Sequence, residues 1–88
     1  MEPVDGLRDA IAEVVRRRRK AYGIAQESLA DKVGLNRSYV GMIERGRQTP
    51  SLDVVFAIAG GLEVDAWVLV KEIQDEWELR RDGEPGGA

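Results

Sequence analysis

The sequence of 88 residues contains no cysteine and no histidine. Without cysteine it has no means of forming a disulfide, a thiol nucleophile or a zinc finger. Without histidine it lacks the side chain that most often serves as a general base or as a metal ligand. Because these absences exclude most hydrolase and oxidoreductase mechanisms, we predict no enzymatic activity, no metal and no cofactor.

A long hydrophobic run is also missing. The longest uncharged apolar stretch, Val54 to Leu62, is far shorter than the roughly 20 residues that a membrane span needs. Charges run through the N-terminal segment, where a signal peptide would have an apolar core. The chain is 43% hydrophobic and 33% charged, which is the composition of a single folded domain at this length. We therefore expect a soluble, cytoplasmic protein without a membrane partner.

Charge is distributed unevenly along the chain. Acidic residues outnumber basic ones by 16 to 13, a net charge of −3. Residues 16–47 nevertheless contain nine basic and three acidic residues, a local charge of +6, whereas residues 50–88 contain three basic and nine acidic residues. This asymmetry is typical of a polyanion-binding face joined to an acidic remainder. The alternative is that the basic run Arg16–Lys20 is only a solvated helix face.

Apolar residues recur at helical spacing and never alternate with period two, so we predict an all-α fold of five helices. Residues 1–81 form the domain in this prediction, and residues 82–88 form a disordered tail. The fourth helix is expected to bury Leu52, Val55, Phe56 and Ile58. The predicted helices run from Asp5 as N-cap to Tyr22, from Gln26 to Val33, from Asn36 as N-cap to Arg45, from Leu52 to the residues before Gly60-Gly61, and from Asp65 to Arg81.

The connection between the second and third helices carries the strongest functional signal. It is about three residues long and contains Gly34, which permits a positive φ in a tight turn. Two helices joined in this way cross at roughly 90–120°, the geometry of a helix-turn-helix, here at residues 26–45. Small Ala30 is expected at the crossing, and Val40 is expected to pack the third helix against the second.

These residues resemble a known family. The segment QESLADKVGLNRSYVGMIERG, from Gln26 to Gly46, is similar to the helix-turn-helix of phage-repressor, Cro and XRE-type regulators. The resemblance covers residues 11–70, and the part from Asn36 to Gly46 is similar to controller proteins of restriction–modification systems. It implies a five-helix, lambda-repressor-like DNA-binding domain with an extended C-terminal helix. The chain departs from the family at Ala25, where a capping Ser or Thr is usual, and in its acidic extension after Val70.

The third helix is the predicted recognition helix. A recognition helix presents its N-terminal residues to base edges in the major groove of double-stranded DNA. When Val40 and Ile43 are placed on the buried side, Gly41 turns outward together with three candidates for base reading. Those candidates are Arg37, Ser38 and Met42.

Two contacts can be specified further. Arg37 has the donors to pair with guanine O6 and N7, and Met42 can touch a thymine methyl group. The alternative for Arg37 is a solvated surface side chain. The resemblance to controller proteins implies that Tyr39 also contacts the operator, and its alternative is partial packing in the core.

Other residues are expected to position the protein on DNA. Gln26 opens the second helix, where free backbone N–H groups suit a phosphate, and its alternative is an ordinary polar N-terminal residue. Asn36 can cap the third helix or contact a phosphate. Arg45 at the end of the third helix and Arg47 in the loop after it are predicted phosphate contacts. The resemblance implies that Arg19 and Glu44 form an ion pair that joins the first helix to the third.

The fifth helix is a predicted dimerisation element over residues 65–81. Its apolar residues at a spacing of four, three and four form a short seam that a second copy could cover. The alternative is packing of the same stripe on the first and fourth helices. The acidic end of this helix is expected to point away from DNA. The residues of the seam are Ala66, Val70, Ile73 and Trp77.

Together these features predict a sequence-specific DNA-binding transcriptional regulator without a small-molecule substrate. A homodimer would place two recognition helices about 34 Å apart on a pseudo-palindromic operator. Two alternatives remain at this stage. One is the antitoxin of a toxin–antitoxin pair, and the other is a protein-interaction module that uses the same fold without DNA.

Overall fold

Five α-helices make up the computed structural model, which describes residues 4–82. No strand occurs within that range, so the predicted all-α fold with five helices is confirmed. Among the same residues, no helix combines the length and the apolar character that crossing a membrane requires. The helices are α1 (Leu7–Tyr22), α2 (Gln26–Val33), α3 (Arg37–Glu44), α4 (Leu52–Gly61) and α5 (Ala66–Asp82).

The predicted ends of four helices need correction, among them α4, which continues through Gly60 to Gly61. Asp5 does not cap α1, because Gly6 occupies the cap position with a φ of 80° and the backbone carbonyl of Asp5 instead accepts a hydrogen bond from Trp77 at 2.8 Å. Arg45 lies just beyond α3 as its C-cap. Helix α5 continues to Asp82, one residue into the predicted tail. The rest of that tail, residues 83–88, lies outside the described residues.

The core lies where all five helices meet. Each helix contributes at least one side chain that is completely or almost completely buried, because apolar residues three and four positions apart share one helix face. Glu44 is the charged residue within this core, at 3% exposure. The largest fully buried side chains are Val14, Val15, Leu29, Val40, Ile43, Ile58 and Leu69.

The turn between α2 and α3 has the predicted chemistry. Gly34 adopts a φ of 75°, and the next amide, that of Leu35, donates to the carbonyl of Ala30 at 2.9 Å. Ala30 and Val40 are both fully buried at the contact between the two helices. Asn36 then caps α3, since its side-chain oxygen accepts a hydrogen bond from the Ser38 amide at 2.8 Å. These local interactions anchor one side of α3 in the core and leave the other side to solvent.

Helix α5 lies along α1. Ile73 is buried against the core, and the indole of Trp77 reaches back to the turn before α1. Ion pairs flank this apolar contact, with Arg18 bound to Glu72 through two hydrogen bonds and Arg17 bound to Glu76 at 3.3 Å. The acidic extension of the chain therefore packs on the basic run of α1.

Candidate nucleic-acid interface

The exposed side of α3 begins at its N-terminus. Arg37 and Ser38 are exposed, Met42 is half-buried on the same helix, and Val40 and Ile43 are fully buried on the opposite side. Arg37 and Ser38 are thus accessible at the start of a helix whose other side is held by the core, whereas Met42 lies in the second half of that helix and is only partly accessible. The guanidinium of Arg37 lies 3.2 Å from the carboxylate of Asp31 on α2, and both side chains are mostly exposed.

Two residues of α3 lie deeper than a contact with DNA would require. Tyr39 is half-buried and packs against the core, which agrees with the alternative given for it. The prediction that Gly41 faces outward is wrong, because the residue is buried. The guanidinium of Arg45 covers it, with Nη1 only 3.0 Å from the place that a Cβ atom would take.

A buried ion pair joins α1 to α3. The guanidinium of Arg19 donates to both carboxylate oxygens of Glu44, at 2.6 and 2.9 Å, as the resemblance implied. This hydrogen bonding raises the pKa of Arg19, whose guanidinium keeps its charge. Arg16 donates to the backbone carbonyl of Glu44 at 2.9 Å, and this contact fixes the last turn of α3.

Gln26 belongs to the same network. Its side-chain NH₂ group donates a hydrogen bond to the carboxylate of Glu44 at 2.9 Å. The side-chain carbonyl oxygen of Gln26 takes no part in this contact. The residue still opens α2, and Ala25 before it provides no side-chain cap. The free N–H groups of this helix start are therefore available to an external acceptor.

The loop after α3 presents two cations. Arg45 and Arg47 are both exposed, and neither has an ion-pair partner within residues 4–82. Arg8 of α1 braces the same loop by donating to the hydroxyl of Thr49 at 3.0 Å. Two unpaired guanidinium groups thus follow a helix that presents arginine at its other end.

Comparison with known proteins identifies this architecture. A family model for the helix-turn-helix matches residues 15–66. The chain belongs to the helix-turn-helix family of Cro and XRE-type regulators. The immunity repressor of Bacillus phage phi105 is 37% identical over 78 residues, which is 82% of this chain and 54% of the repressor. The chain thus spans about half the length of that repressor.

Solved structures of restriction–modification controller proteins are similar throughout their length. The controller protein C.AhdI from Aeromonas hydrophila is 37% identical, with a TM-score of 0.68 over 75% of this chain and 99% of its own. The controller protein C.Esp1396I, solved as a tetramer in complex with its natural 35-base-pair operator, is 29% identical, with a TM-score of 0.76 over 85% of this chain and 99% of its own. The relatives are transcriptional regulators and repressors, not enzymes.

The basic run Arg16–Lys20 was expected to belong to a polyanion-binding face, but most of its side chains bind carboxylates of the same chain. Of the five cations Arg16–Lys20, four form ion pairs within the chain, two of them with α5. The hydrogen bond from Arg18 holds the pKa of Glu72 below its ordinary value, and the same contact raises the pKa of Arg18. Three carboxylates from outside residues 16–47, those of Glu13, Glu72 and Glu76, therefore offset half of the local charge of +6, which favours the alternative reading of the run.

The predicted seam of α5 packs mainly inside its own chain. Ile73 is 7% exposed, and Ala66 and Trp77 are half-buried against the core. Val70, at 41% exposure, is the member of the seam that faces solvent. The intramolecular alternative thus accounts for three of the four residues.

Sequence reasoning missed the exposure of two apolar side chains on α4. Leu52 and Phe56 were expected in the core, but they are 66% and 59% exposed on α4. Trp67 on α5 is 68% exposed. Helix α4 is apolar at almost every position, so periodicity alone could not show which of its sides would face the core. One signal in the sequence could have indicated this exposure: α4 has more apolar residues than one side of a ten-residue helix can bury.

Proposed function

We propose that this protein is a sequence-specific transcriptional regulator that binds double-stranded DNA as a homodimer on a pseudo-palindromic operator. The observation that carries the proposal is the exposed N-terminal end of α3, held from behind by fully buried Val40 and Ile43. A helix anchored in this way can enter the major groove without moving its backbone.

Arg37 is the principal base-reading residue in this proposal. Its pair with Asp31 lies on the surface, where such pairs contribute little to stability, so the guanidinium can leave the carboxylate for guanine at small cost. Ser38 and Met42 lie on the same helix and complete the set. Tyr39, being packed against the core, would contact DNA through its hydroxyl group at most.

Contacts with the DNA backbone come from residues around α3. At Gln26, the N-terminus of α2 offers its backbone N–H groups to a phosphate. Arg45 and Arg47 offer their guanidinium groups to other phosphates from the loop after α3. Asn36 acts chiefly as the cap of α3, because its side-chain oxygen already accepts a hydrogen bond. The operator complex of the related controller protein supports double-stranded DNA as the ligand.

The homodimer would form through the exposed apolar residues of α4 and α5. A second copy is the natural occupant, because a two-fold axis brings the same apolar side chains of both copies together. This surface replaces most of the seam that the sequence suggested, and it keeps Val70. Its residues are Leu52, Phe56, Trp67 and Val70.

The test begins with selection of bound duplexes from a random DNA pool, followed by measurement of affinity for Arg37→Ala. We expect a loss of about 1–3 kcal/mol on the selected operator and relaxed preference at one base pair. Lys71→Ala is the matched control, because Lys71 is also a surface-paired cation, at 64% side-chain exposure against 65% for Arg37. Equal weakening of Arg37→Ala on all DNA sequences would remove Arg37 from base reading.

The salt dependence of binding separates this function from its rival. A DNA-binding protein loses affinity steeply as salt rises, because each neutralised phosphate releases counterions. Failure of the wild-type protein to bind any duplex at low salt would refute the regulator and favour a protein-interaction module.

A further inference from the structure

A cleft with four arginines lies beside the proposed DNA-binding surface. It has a volume of about 420 Å³ and is bounded by α1, the loop after α3 and the C-terminal end of α5. Arg16 comes from α1, Arg45 and Arg47 come from the loop, and Arg80 comes from α5. Asp9 and Glu44 are its acidic lining residues.

The charges of the cleft do not cancel. Glu44 is already neutralised by Arg19, which is not part of the lining. Arg16 is paired with Glu13 on its own helix. Arg45 and Arg47 have no ion-pair partner within the described residues, and Asp9 is the lining carboxylate left to offset their charge.

Arg80 adds donors to this excess of positive charge. It contacts Glu76 through Nε at 2.9 Å, and its two Nη atoms donate no hydrogen bond to any residue that the structure describes. Glu76 is shared with Arg17 at 3.3 Å, so one carboxylate serves two guanidinium groups. As far as the described residues go, the outer edge of the Arg80 fork is thus free to bind another anion.

We propose that this cleft binds a phosphate group, with Arg45, Arg47 and Arg80 as its ligands. The planar guanidinium fork matches the oxygen atoms of phosphate, and three such groups from two separate elements can surround one anion. A phosphate of bound DNA and a free phosphate-bearing molecule share this chemistry. The first source rests on the proposed function, whereas the second does not.

Arg80 makes the proposal specific to this chain. It lies beyond residues 15–66, the segment that the family model matches, and at the end of the helix that was expected to point away from DNA. The packing of α5 along α1 carries it back to the loop after α3. If the phosphate belongs to DNA, α5 extends the backbone contacts beyond the helix-turn-helix.

The first arm of the test measures duplex binding of Arg80→Gln at several salt concentrations. We expect the slope of log K against log salt to fall in magnitude by about 0.9, the value for one lost phosphate contact. Weakening should be equal on operator and unrelated duplexes, because a phosphate carries no sequence information. Lys71→Gln is the matched control, since it removes a surface-paired cation from the same helix, and its slope should equal that of the wild type.

In the second arm, inorganic phosphate is added in place of DNA at constant ionic strength. NMR measures the chemical shifts of the Gly46 and Arg47 amide signals during this titration. Saturable shifts that disappear in Arg80→Gln but persist in Lys71→Gln would establish the cleft as a site for free phosphate. A reduced slope without such shifts would assign the phosphate to DNA.

Two outcomes separate the failure of this proposal from the failure of the proposed function. If the wild type binds DNA but Arg80→Gln changes neither the slope nor the phosphate shifts, the phosphate site is refuted and the regulator stands. If the wild type binds no DNA, the regulator is refuted, and the phosphate shifts alone then decide for or against the cleft.

Discussion

Glu44 shows how a single residue can join the parts of this fold. Its carboxylate accepts hydrogen bonds from Arg19 on α1 and Gln26 on α2, and its backbone carbonyl accepts one from Arg16. Because Glu44 is 3% exposed, these partners must replace the water that it loses on folding. The network sets the position of α3 against α1 and α2 before any DNA is bound.

Replacing Glu44 by Gln should therefore destabilise the protein strongly. The substitution keeps the size of the side chain but leaves the guanidinium of Arg19, at 12% side-chain exposure, without its counter-charge. We expect a loss of about 3 kcal/mol in the free energy of unfolding, measured by urea denaturation. Glu78→Gln changes an exposed residue of α5 and is the control, which should stay within about 0.5 kcal/mol of the wild type. Equal stability of the two variants would show that the buried network contributes nothing.

At the scale of elements, the helix-turn-helix contains two glycines with opposite requirements. Gly34 lies in the turn with a φ of 75°, where any side chain is strained. Gly41 lies inside α3, and its one close neighbour is the movable end of the exposed Arg45 side chain. The same substitution should therefore have opposite effects at positions seven residues apart.

Gly41→Ala is expected to raise the free energy of unfolding by up to about 1 kcal/mol, the helix propensity difference between the two residues. Gly34→Ala is expected to lower it by about 1–2 kcal/mol, since alanine disfavours the left-handed region. Urea denaturation of both variants checks the pair. A loss of stability in Gly41→Ala would mean that Arg45 cannot move aside.

The docking of α5 on α1 should depend on pH. The hydrogen bond from Arg18, and the charges of Arg18 and Arg17, lower the pKa of Glu72 from its ordinary value of 4.5 against the opposing effects of burial and Asp75. A carboxyl group with a lowered pKa in the folded state contributes stability that is complete above its unfolded pKa. That contribution is lost as the pH falls through the folded pKa.

The stability difference between wild type and Glu72→Gln should therefore be constant near neutral pH and shrink below about pH 4.5. Urea denaturation at a series of pH values, followed by circular dichroism, measures this difference. A difference that stays the same down to the lowest pH at which both proteins fold would show that the Arg18–Glu72 pair does not stabilise the docked helix.

At the scale of the whole molecule, the surface divides into regions of different character. Arginines surround the end of α3, carboxylates and their partners occupy the contact of α5 with α1, and exposed apolar residues lie on α4 and the start of α5. Apolar side chains such as Phe56 and Trp67, each more than half exposed on a small domain, are typical of a surface that a partner covers.

Phe56→Ser should shift the protein from dimer to monomer, because it removes apolar area from the surface proposed for a second copy. Sedimentation velocity at micromolar concentration measures the change. Leu79→Ser is the matched control, since Leu79 is equally apolar and 68% exposed but lies near the far end of α5. A monomeric wild type, or dissociation caused only by Leu79→Ser, would contradict the proposed interface.

The sequence by itself determined the five helices and the helix-turn-helix. The apolar spacing within each helix, the positive φ of Gly34 and the cap at Asn36 are local properties, which depend on residues a few positions apart. The accessible start of α3 followed from the same spacing, because the burial of Val40 and Ile43 turns Arg37 and Ser38 outward.

Only the tertiary structure decided which charges and apolar residues stay available for partners. Arg18 meets Glu72 across 54 residues of sequence, and no periodicity can reveal a contact of that range. The same packing brought Arg80 to the loop after α3 and left Phe56 in solvent. The reason is physical: helix formation depends on neighbours along the chain, whereas the exposure of a side chain depends on which helices pack over it.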